Sequence, residues 1–199
     1  MIDVVILAGG KATRLHGLWK GPKCLVPVGG MPLLGRLLGL CLSIKAKTVR
    51  LALGHGGEEV ERFFLKWWES TPTAHSHYGA QLGLTHGTHA AVRECVRSGP
   101  VLVLNGDTLP LFDLRSLLAY HEQRHGAWAT TAMVPDLARW RERYAGACVL
   151  SQEAIEEIRA DQRTYDFPAA LLGAQRYFVP GFLDVGTPEG FKQAQEYKD

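Results

Sequence analysis

The chain has 199 residues, of which 46% are hydrophobic and 21% charged, enough apolar material for one domain with a substantial core. The formal net charge of +2 and the lack of any block of like charge give no support to a nucleic-acid-binding surface. No apolar run approaches the roughly 20 residues of a membrane span, and Met1 leads into strand-like residues instead of a secretory signal, so we expect a cytoplasmic protein without a membrane partner.

The first half of the chain alternates predicted strands with predicted helices. The apolar run 2–7 ends at Gly9-Gly10 and reads as a buried strand, and a long loop follows it. The pattern then predicts, in order, a helix over 32–42, a strand over 48–53, a helix over 58–68, a strand over 73–78 and a helix over 88–96.

The second half continues the alternation. A buried strand over 100–104 runs into Asn105-Gly106-Asp107, and Asp113 is a suitable N-cap for a helix that reaches 124. The pattern then predicts strands over 127–134 and 145–150, a helix over 151–158 capped by Ser151, a strand over 182–185, and a last helix that starts at Thr187-Pro188. Strand–helix alternation predicts a Rossmann-like α/β fold, a mostly parallel sheet flanked by helices, in one domain over 1–199.

Three groups of residues that do not enter the strand–helix pattern are interpreted as structural. The four cysteines are scattered and are expected to be reduced packing residues. The aromatic residues of the 58–68 helix are expected to pack on the sheet or to form a subunit contact. In the second case the protein would be a homodimer. Four histidines lie close in sequence without a Cys or carboxylate set to complete a zinc site, and a neutral hydrogen-bonding role is favoured: His75, His77, His86 and His89.

The loop after the first strand combines two glycines with several cations. Successive glycines let backbone N–H groups approach an anion, and Arg14 and Lys23 add charge that suits a polyphosphate. Two common phosphate loops do not match. Val5 stands where a P-loop has its first glycine, and Gly9-Gly10 lacks the G-x-G-x-x-G spacing. The alternative is an ordinary surface loop with solvated cations.

Three motifs in chain order carry a resemblance to a known family. The first is Gly9-Gly10-x-x-Thr13-Arg14-Leu15, followed by Pro22-Lys23-x-Leu25-x-Pro27-Val28-x-Gly30-x-Pro32-Leu33. The others are Leu104-Asn105-Gly106-Asp107-Thr108 and Phe182-Leu183-Asp184-Val185-Gly186-Thr187-Pro188-Glu189. Together they resemble the sugar-phosphate nucleotidyltransferases, whose motifs read L-A-G-G-x-G-T-R-L, P-K-x-L-x-P-V, G-D and D-x-G-T-P-E. The compact chain is most similar to the heptose 1-phosphate and mannose 1-phosphate guanylyltransferase branch.

The resemblance implies a reaction and a set of site residues. A sugar 1-phosphate attacks the α-phosphate of a nucleoside triphosphate and yields an NDP-sugar and pyrophosphate, a step of nucleotide-sugar biosynthesis. Arg14 and Lys23 are the implied catalytic cations, and Asp107 and Asp184 the implied ligands of Mg²⁺. Taken singly, Asp107 also suits an ordinary turn, and Asp184 a solvated carboxylate or a cap. The implied nucleotide-binding residues are Leu7, Ala8, Gly9, Gly10, Lys11, Thr13, Arg14, Gln81, Gly87, Thr88, Asn105 and Gly106.

The identity of the substrates follows only from the resemblance. We expect GTP as the donor and D-glycero-α-D-manno-heptose 1-phosphate or a related sugar as the acceptor, with Gln81 and Thr88 near the base. One alternative is a cytidylyltransferase acting on a non-sugar phosphate such as phosphocholine, for which trailing aromatic residues would form a cage: Tyr165, Phe167, Tyr177 and Phe178. The other is a non-catalytic nucleotide-binding regulator, although Arg14 and both aspartates are present.

The chain departs from the family pattern at three places. Ala12 replaces the glycine of G-T-R, which is expected to alter the approach of the backbone to phosphate. Tyr144-Ala145-Gly146 stands where relatives often have N-A-G, so a hydrogen bond to the sugar is expected to be missing or changed. No clear E-K-P motif is present, so the second lysine of some branches has no assigned counterpart.

Overall fold

The fold is built around one seven-stranded sheet. The structure, a computed structural model, describes residues 1–15, 17–71, 77–81, 92, 95, 98–139, 141–160 and 173–198. The strands of the described parts are β1 Asp3–Leu7, β2 Pro27–Val28, β3 Met31–Pro32, β4 Thr48–Ala52, β5 His77–Gln81, β6 Val101–Asn105, β7 Thr108–Pro110, β8 Ala129–Asp136, β9 Arg141–Leu150, β10 Gln175–Phe178 and β11 Phe182–Asp184.

The large sheet has the strand order β10-β8-β9-β6-β1-β4-β5. Strand β1 pairs in parallel with β4 and with β6, and the pairs β4–β5 and β10–β8 are also parallel. Strand β9 is antiparallel to both of its neighbours, β6 and β8. Two short antiparallel ribbons, β2–β3 and β7–β11, stand apart from this sheet. The predicted fold class, a mostly parallel sheet of Rossmann-like α/β type, is confirmed.

Helices cover both faces of the sheet. Their bounds in the described parts are α1 Leu33–Ser43, α2 Gly57–Glu69, α3 Leu114–Gln123, α4 Gln152–Ala160 and α5 Pro188–Glu196, with 3₁₀ turns at Thr13–Leu15, Lys23–Leu25 and Leu137–Arg139. No helix among these is long and apolar enough to cross a lipid bilayer.

Each central strand contributes side chains to two separate cores. In β1, Val4 and Ile6 belong to the larger core and Val5 to the smaller one. Successive side chains of a strand point to opposite faces, and both faces are covered here. This is why the central strands read as continuous apolar runs in the sequence instead of alternating with polar residues.

The predicted helix caps are present. The side chain of Asp113 accepts a hydrogen bond from the backbone N–H of Arg115 at 3.0 Å, and Ser151 accepts one from Ala154 at 3.2 Å. The Thr187 hydroxyl accepts one from the N–H of Gly190 at 3.1 Å. Each side chain accepts a hydrogen bond from one of the backbone N–H groups that a helix start leaves unpaired. The last cap is important for function, because it fixes where the chain turns after β11.

Most of the predicted elements agree with the structure, but β9 begins four residues earlier than predicted, and the short strands β2, β3 and β7 were not predicted. The third strand lies over His77–Gln81, later than predicted, and most of the predicted helix over 88–96 lies outside the described residues. Strand β10 was not predicted, because four residues at a sheet edge carry a weak pattern. The four cysteines are buried thiols, as predicted. Phe64 is buried and Phe63 packs on the larger core, which supports the sheet-packing interpretation of α2.

We expect the stability of the fold to fall in mild acid because of His121. Its ring lies 2.8 Å from the hydroxyl of buried Thr130, and burial lowers the pKa of His121 below its usual 6.5. The unfolded chain therefore binds a proton at a higher pH than the folded chain, so this contribution is present above about pH 6.5 and is lost as the pH falls through the folded pKa.

Urea unfolding between pH 7.5 and pH 5 measures this contribution. The wild-type protein should lose more free energy of unfolding over this range than His121→Gln does. His125→Gln, which changes an exposed histidine close by, is the matched control and should behave as the wild type. Identical slopes for all three proteins would contradict the role of His121.

Candidate active site

The candidate site lies where β1 and β6 end side by side. These strands are parallel neighbours, so the loops that follow them emerge at the same edge of the sheet. The backbone N–H of Gly106 donates to the carbonyl oxygen of Leu7 at 3.0 Å, and a Cβ on Gly106 would lie only 2.5 Å from that oxygen. Glycine at 106 therefore allows the two loops to touch, and the role of Gly106 is to bring Asp107 next to the first loop.

The glycine turn of the first loop is packed against a second glycine further along the chain. A Cβ on Gly54 would lie 2.7 Å from the carbonyl oxygen of Gly9, and the N–H of His55 donates to that same oxygen at 3.3 Å. Among the described residues, no hydrogen-bond acceptor engages the N–H groups of Gly10 and Lys11. These two donors are available to an anion.

Ala12 adopts the conformation that glycine would have. Its φ is +51°, in the left-handed region, and its side chain is buried. The backbone here is thus already in a glycine-like conformation, and the expectation that Ala12 alters the approach of the backbone to phosphate stays a prediction. The methyl group costs roughly 1–2 kcal/mol there.

Lys23 reaches from the first loop to the carboxylate that follows β6. Its Nζ lies 3.1 Å from Oδ2 of Asp107, and the two side chains are 12% and 26% exposed. The aliphatic part of Lys23 runs beside Gly10, where a Cβ would lie 3.7 Å from the Lys23 side chain. The partial burial of this pair excludes much of the solvent that weakens surface ion pairs.

Asp184 approaches Asp107 through the β7–β11 ribbon. The N–H of Val185 donates to the carbonyl oxygen of Asp107 at 2.9 Å, and the N–H of Gly186 donates to Oδ1 of Asp184 at 2.9 Å. The point where a Cβ on Gly186 would stand lies 2.9 Å from Oδ2 of Asp107, 3.0 Å from Oδ1 of Asp184 and 3.1 Å from Nζ of Lys23. Two carboxylates and an ammonium therefore surround one small space.

Burial is the main reason that the pKa of Asp184 is raised above 3.8. The charge of Asp107 raises the pKa further, while the hydrogen bond from Gly186 and the charges of Arg14 and Lys23 lower it. An ionised Asp184 is thus held where a cation would stabilise it. Paired carboxylates are typical ligands of Mg²⁺ together with phosphate oxygens, so the residues present fit a magnesium site. Among the described residues, no group of three or more His, Cys, Asp or Glu forms a larger metal cluster.

A cleft of about 390 Å³ opens beside the two carboxylates. One part of its wall was not predicted from the sequence: the start of β9 and the first residue of β11. The residues lining the cleft are Arg14, Asn105, Asp107, Thr108, Arg141, Glu142, Arg143, Tyr144, Phe182 and Asp184. The sequence signal for this part of the wall was the spacing of Arg141 and Arg143, because residues two apart in a strand have side chains on the same face.

A bulge in β9 brings this wall into the cleft. Between the pairs Thr131–Cys148 and Met133–Tyr144, β9 has two more residues than β8, and Gly146 has a φ of +75°. A Cβ on Gly146 would lie 2.7 Å from the Thr108 side chain, so β9 passes close to β7 here. Burial raises the pKa of the Tyr144 phenol well above its usual value.

The predicted residues divide into three groups. Arg14, Lys23, Asp107 and Asp184 come together, and Asn105 lines the same cleft. Lys11 and Thr13 are exposed on the first loop, outside the cleft lining. Gln81 ends β5, but its side chain, together with Gly87, Thr88 and the four clustered histidine side chains, lies outside the described parts.

The profile of the MobA-like NTP transferase domain matches residues 4–174. The chain belongs to this family. The predicted membership of the nucleotidyltransferases is thus confirmed. The chain is also 31% identical over 183 residues to the bifunctional protein GlmU of Paracidovorax citrulli, a match that covers 86% of the chain and 38% of GlmU. The chain therefore spans well under half the length of this relative.

Solved nucleotidyltransferases share the fold. HddC from Yersinia pseudotuberculosis, in complex with GMP-PN, superposes with a TM-score of 0.78 at 22% identity, over 98% of this chain and 99% of HddC. A putative glucose-1-phosphate thymidylyltransferase from Bacillus anthracis superposes with a TM-score of 0.79 at 15% identity, over 98% of this chain and 94% of the other. At these identities the likeness establishes the common fold of the NTP transferase family.

We expect Gly186→Ala to lower activity while leaving the fold intact. The added methyl group would enter the space between Asp107, Asp184 and Lys23, whose flexible side-chain ends can move aside. A displacement of about 1 Å at such a centre costs on the order of 100-fold in rate. Steady-state kinetics and thermal unfolding measure the two effects. Gly181→Ala is the matched control, because a Cβ at Gly181 meets nothing within 4 Å. Equal activity of the two variants would contradict the convergence at Gly186.

We expect Asp184→Asn to raise the melting temperature of the ligand-free protein. The pKa of Asp184 is raised above 3.8 in the folded state, so its ionised form destabilises the fold at neutral pH. Asparagine removes the charge and can still accept the hydrogen bond from Gly186. The difference from wild type should shrink as the pH falls through the raised folded pKa of Asp184 and should be absent well below about 4, where Asp is protonated in both states. A lower melting temperature for the variant at pH 7 would contradict this account.

Proposed function

We propose that the protein transfers a nucleotidyl group from a nucleoside triphosphate, preferably GTP, to a sugar 1-phosphate. The products are an NDP-sugar and pyrophosphate, and Mg²⁺ is the cofactor. The observation that carries the proposal is the convergence of Asp107, Asp184 and Lys23 within about 3 Å of one point, beside Arg14. Membership of the NTP transferase family supports the same reaction class.

The chemistry requires charge neutralisation and alignment more than a covalent nucleophile. An oxygen of the acceptor phosphate forms a bond to the α-phosphorus of the triphosphate, and the bond between that phosphorus and the bridging oxygen to the β-phosphate breaks. Pyrophosphate leaves with the bonding electrons. The attacking group is already an anion, so no strong general base is needed.

The chain supplies the positive charge from one side of the cleft. Lys23 is held by Asp107 at 3.1 Å and can bind phosphate oxygens at the reacting centre as a point charge. Arg14 is exposed on the 3₁₀ turn of the first loop, where its planar fork suits the oxygens of a triphosphate. The N–H groups of Gly10 and Lys11 add backbone donors to the same anion.

Asp107 and Asp184 are the residues that would hold Mg²⁺. A bound magnesium ion neutralises the charge that builds up on phosphate oxygens and orients the groups that bind it. The two aspartates come from different segments of the chain, so their relative position depends on the fold. Burial, and then the charge of Asp107, raise the pKa of Asp184, so a cation at this position would stabilise the ionised carboxylate.

The preference for GTP rests on likeness and remains to be measured. HddC was solved with GMP-PN, a guanine nucleotide analogue, and shares the fold over 98% of this chain. The thymidylyltransferase from Bacillus anthracis has an equally similar fold, so the fold alone does not choose the base. Gln81, Gly87 and Thr88 remain the predicted base-contacting residues, and a heptose or related sugar 1-phosphate remains the predicted acceptor.

The phosphocholine alternative loses support from the positions of two aromatic residues. Tyr177 packs against Tyr120 with ring centroids 5.0 Å apart, and Phe178 lines a different groove from the one that contains Asp107. Tyr165 and Phe167 lie outside the described residues. Of the described residues of this group, neither Tyr177 nor Phe178 lines the cleft beside the carboxylates, and we do not propose this activity.

Pyrophosphate release tests the proposed function. The protein with Mg²⁺ is incubated with each of the four common nucleoside triphosphates and a panel of hexose and heptose 1-phosphates. We expect turnover that needs both substrates, with GTP as the best donor. Asp107→Asn should lose at least about 100-fold, since metal stabilisation supplies several kcal/mol. Asp113→Asn is the control, because asparagine caps a helix as well as aspartate does.

Two results would contradict the proposal at different levels. No pyrophosphate from any pair of substrates would remove the nucleotidyltransferase activity itself. Release that is faster with CTP, UTP or dTTP than with GTP would remove only the choice of base. Equal rates for Asp107→Asn and wild type at saturating Mg²⁺ would remove the assigned role of Asp107.

A further inference from the structure

Arg143 is a stacked cation on the wall of the cleft that β9 forms. Its guanidinium carbon lies 4.9 Å from the centroid of the Phe182 ring, and its side chain is exposed. Neighbouring charges on this side are paired: Arg141 lies 3.7 Å from Asp136, and Arg176 lies 2.9 Å from Glu142. In the described parts of the chain, no carboxylate forms an ion pair with Arg143.

The position of Arg143 relative to the metal-binding carboxylates follows from β11. Phe182 and Asp184 are two residues apart in this strand, so both side chains lie on the same face. Two residues of strand span roughly 7 Å, and Arg143 stands over the first of them. Arg143 and Asp184 therefore line the same cleft on the same side of β11.

The sheet places this cation opposite the first loop. In the strand order, β9 is next to β6 on one side and β1 is next to it on the other, so Asp107 at the end of β6 lies between them. Arg14, after β1, and Arg143, in β9, thus line the cleft from opposite sides of Asp107. Both substrates of the proposed reaction carry phosphate, and each phosphate needs a cation to bind it.

Stacking prepares Arg143 for a planar anion contact. The ring supports one face of the guanidinium. Among the described residues no acceptor engages its N–H groups, which can donate two parallel hydrogen bonds to phosphate oxygens. A lysine would have neither the stack nor the fork. Phe182 is covered on this face by Arg143, so the ring supports the cation and does not offer that face to a sugar.

We propose that Arg143 binds the phosphate of the acceptor, a sugar phosphomonoester, and orients it toward Asp107 and Asp184. This inference rests on the proposed function, because it assigns one of its two substrates to the β9 side of the cleft. Arg14 serves the nucleotide and Arg143 the acceptor.

Binding and kinetics of Arg143 variants test the proposal. Isothermal titration with α-D-mannose 1-phosphate as the probe, and with mannose as the unphosphorylated comparison, measures recognition of the phosphate without turnover. We expect wild type to bind only the phosphorylated sugar, and Arg143→Gln to bind it at least about tenfold more weakly. Arg143→Lys should recover less than half of this loss on a logarithmic scale. GTP binding should change less than twofold in both variants.

Arg124→Gln is the matched control. Arg124 lies 4.9 Å from the ring centroid of Tyr120, a stack of the same geometry outside the cleft. It should bind both ligands as wild type does. In turnover with the best acceptor of the panel, Arg143→Gln should raise the KM for the acceptor and leave the KM for the nucleotide unchanged.

The outcomes separate this proposal from the proposed function. Turnover by wild type, with an unchanged acceptor KM in Arg143→Gln, would overturn the role of Arg143 and leave the function standing. Equal weakening of nucleotide and acceptor would also overturn it, since a general loss of structure or charge predicts that pattern. Absence of mannose 1-phosphate binding by wild type would overturn the phosphate site. Absence of pyrophosphate with every substrate pair would overturn the function.

Discussion

The ion pair between Lys23 and Asp107 is the contact on which the geometry of the site depends. The two residues are 84 positions apart in the chain, and their side chains meet at 3.1 Å between the loops that follow β1 and β6. Without the ammonium, Asp107 and Asp184 would face each other in a partly buried space with no close cation other than Arg14. Burial is the main cause of the raised pKa of Asp184, and the charge of Asp107 raises it further even with Lys23 in place. The ammonium of Lys23 thus offsets part of the repulsion between the two carboxylates in the folded chain.

The antiparallel strand β9 gives the cleft its second wall. A sheet of parallel strands alone would place only loops at this edge, whereas the antiparallel β9 begins here, and its first side chains line the cleft. The bulge at Gly146 lets the strand pass Thr108 at close range. This arrangement separates the cleft into a side that belongs to the glycine loop and a side that belongs to β9. Two substrates can then be recognised by different segments of the chain.

The sequence indicated which residues belong to the candidate site better than it indicated the contacts between their side chains. Arg14, Lys23 and Asp107 stand in motifs that end strands, and the order of strands makes their approach expected. That Lys23 would pair with Asp107, and that Gly186 would leave room for three charged groups, depends on side-chain positions over long sequence separations. Arg143 and Phe182 were not assigned a role from sequence, because the bulge that presents β9 to the cleft has no signature in a run of mixed polar and apolar residues. The conformation of Ala12 could not be predicted from the sequence either, since alanine seldom has a positive φ.

The contact between Gly9 and Gly54 has a consequence for engineering of the first loop. A side chain at 54 would collide with the carbonyl oxygen and Cα of Gly9, at 2.7 and 2.8 Å, although residue 54 belongs to a different loop. A library that randomises only residues 9–15 therefore yields loops whose backbone must still pack against the glycine at position 54. Broader nucleotide scope through a longer or wider loop requires that position 54 be redesigned in the same round, together with the turn at His55 that donates to Gly9.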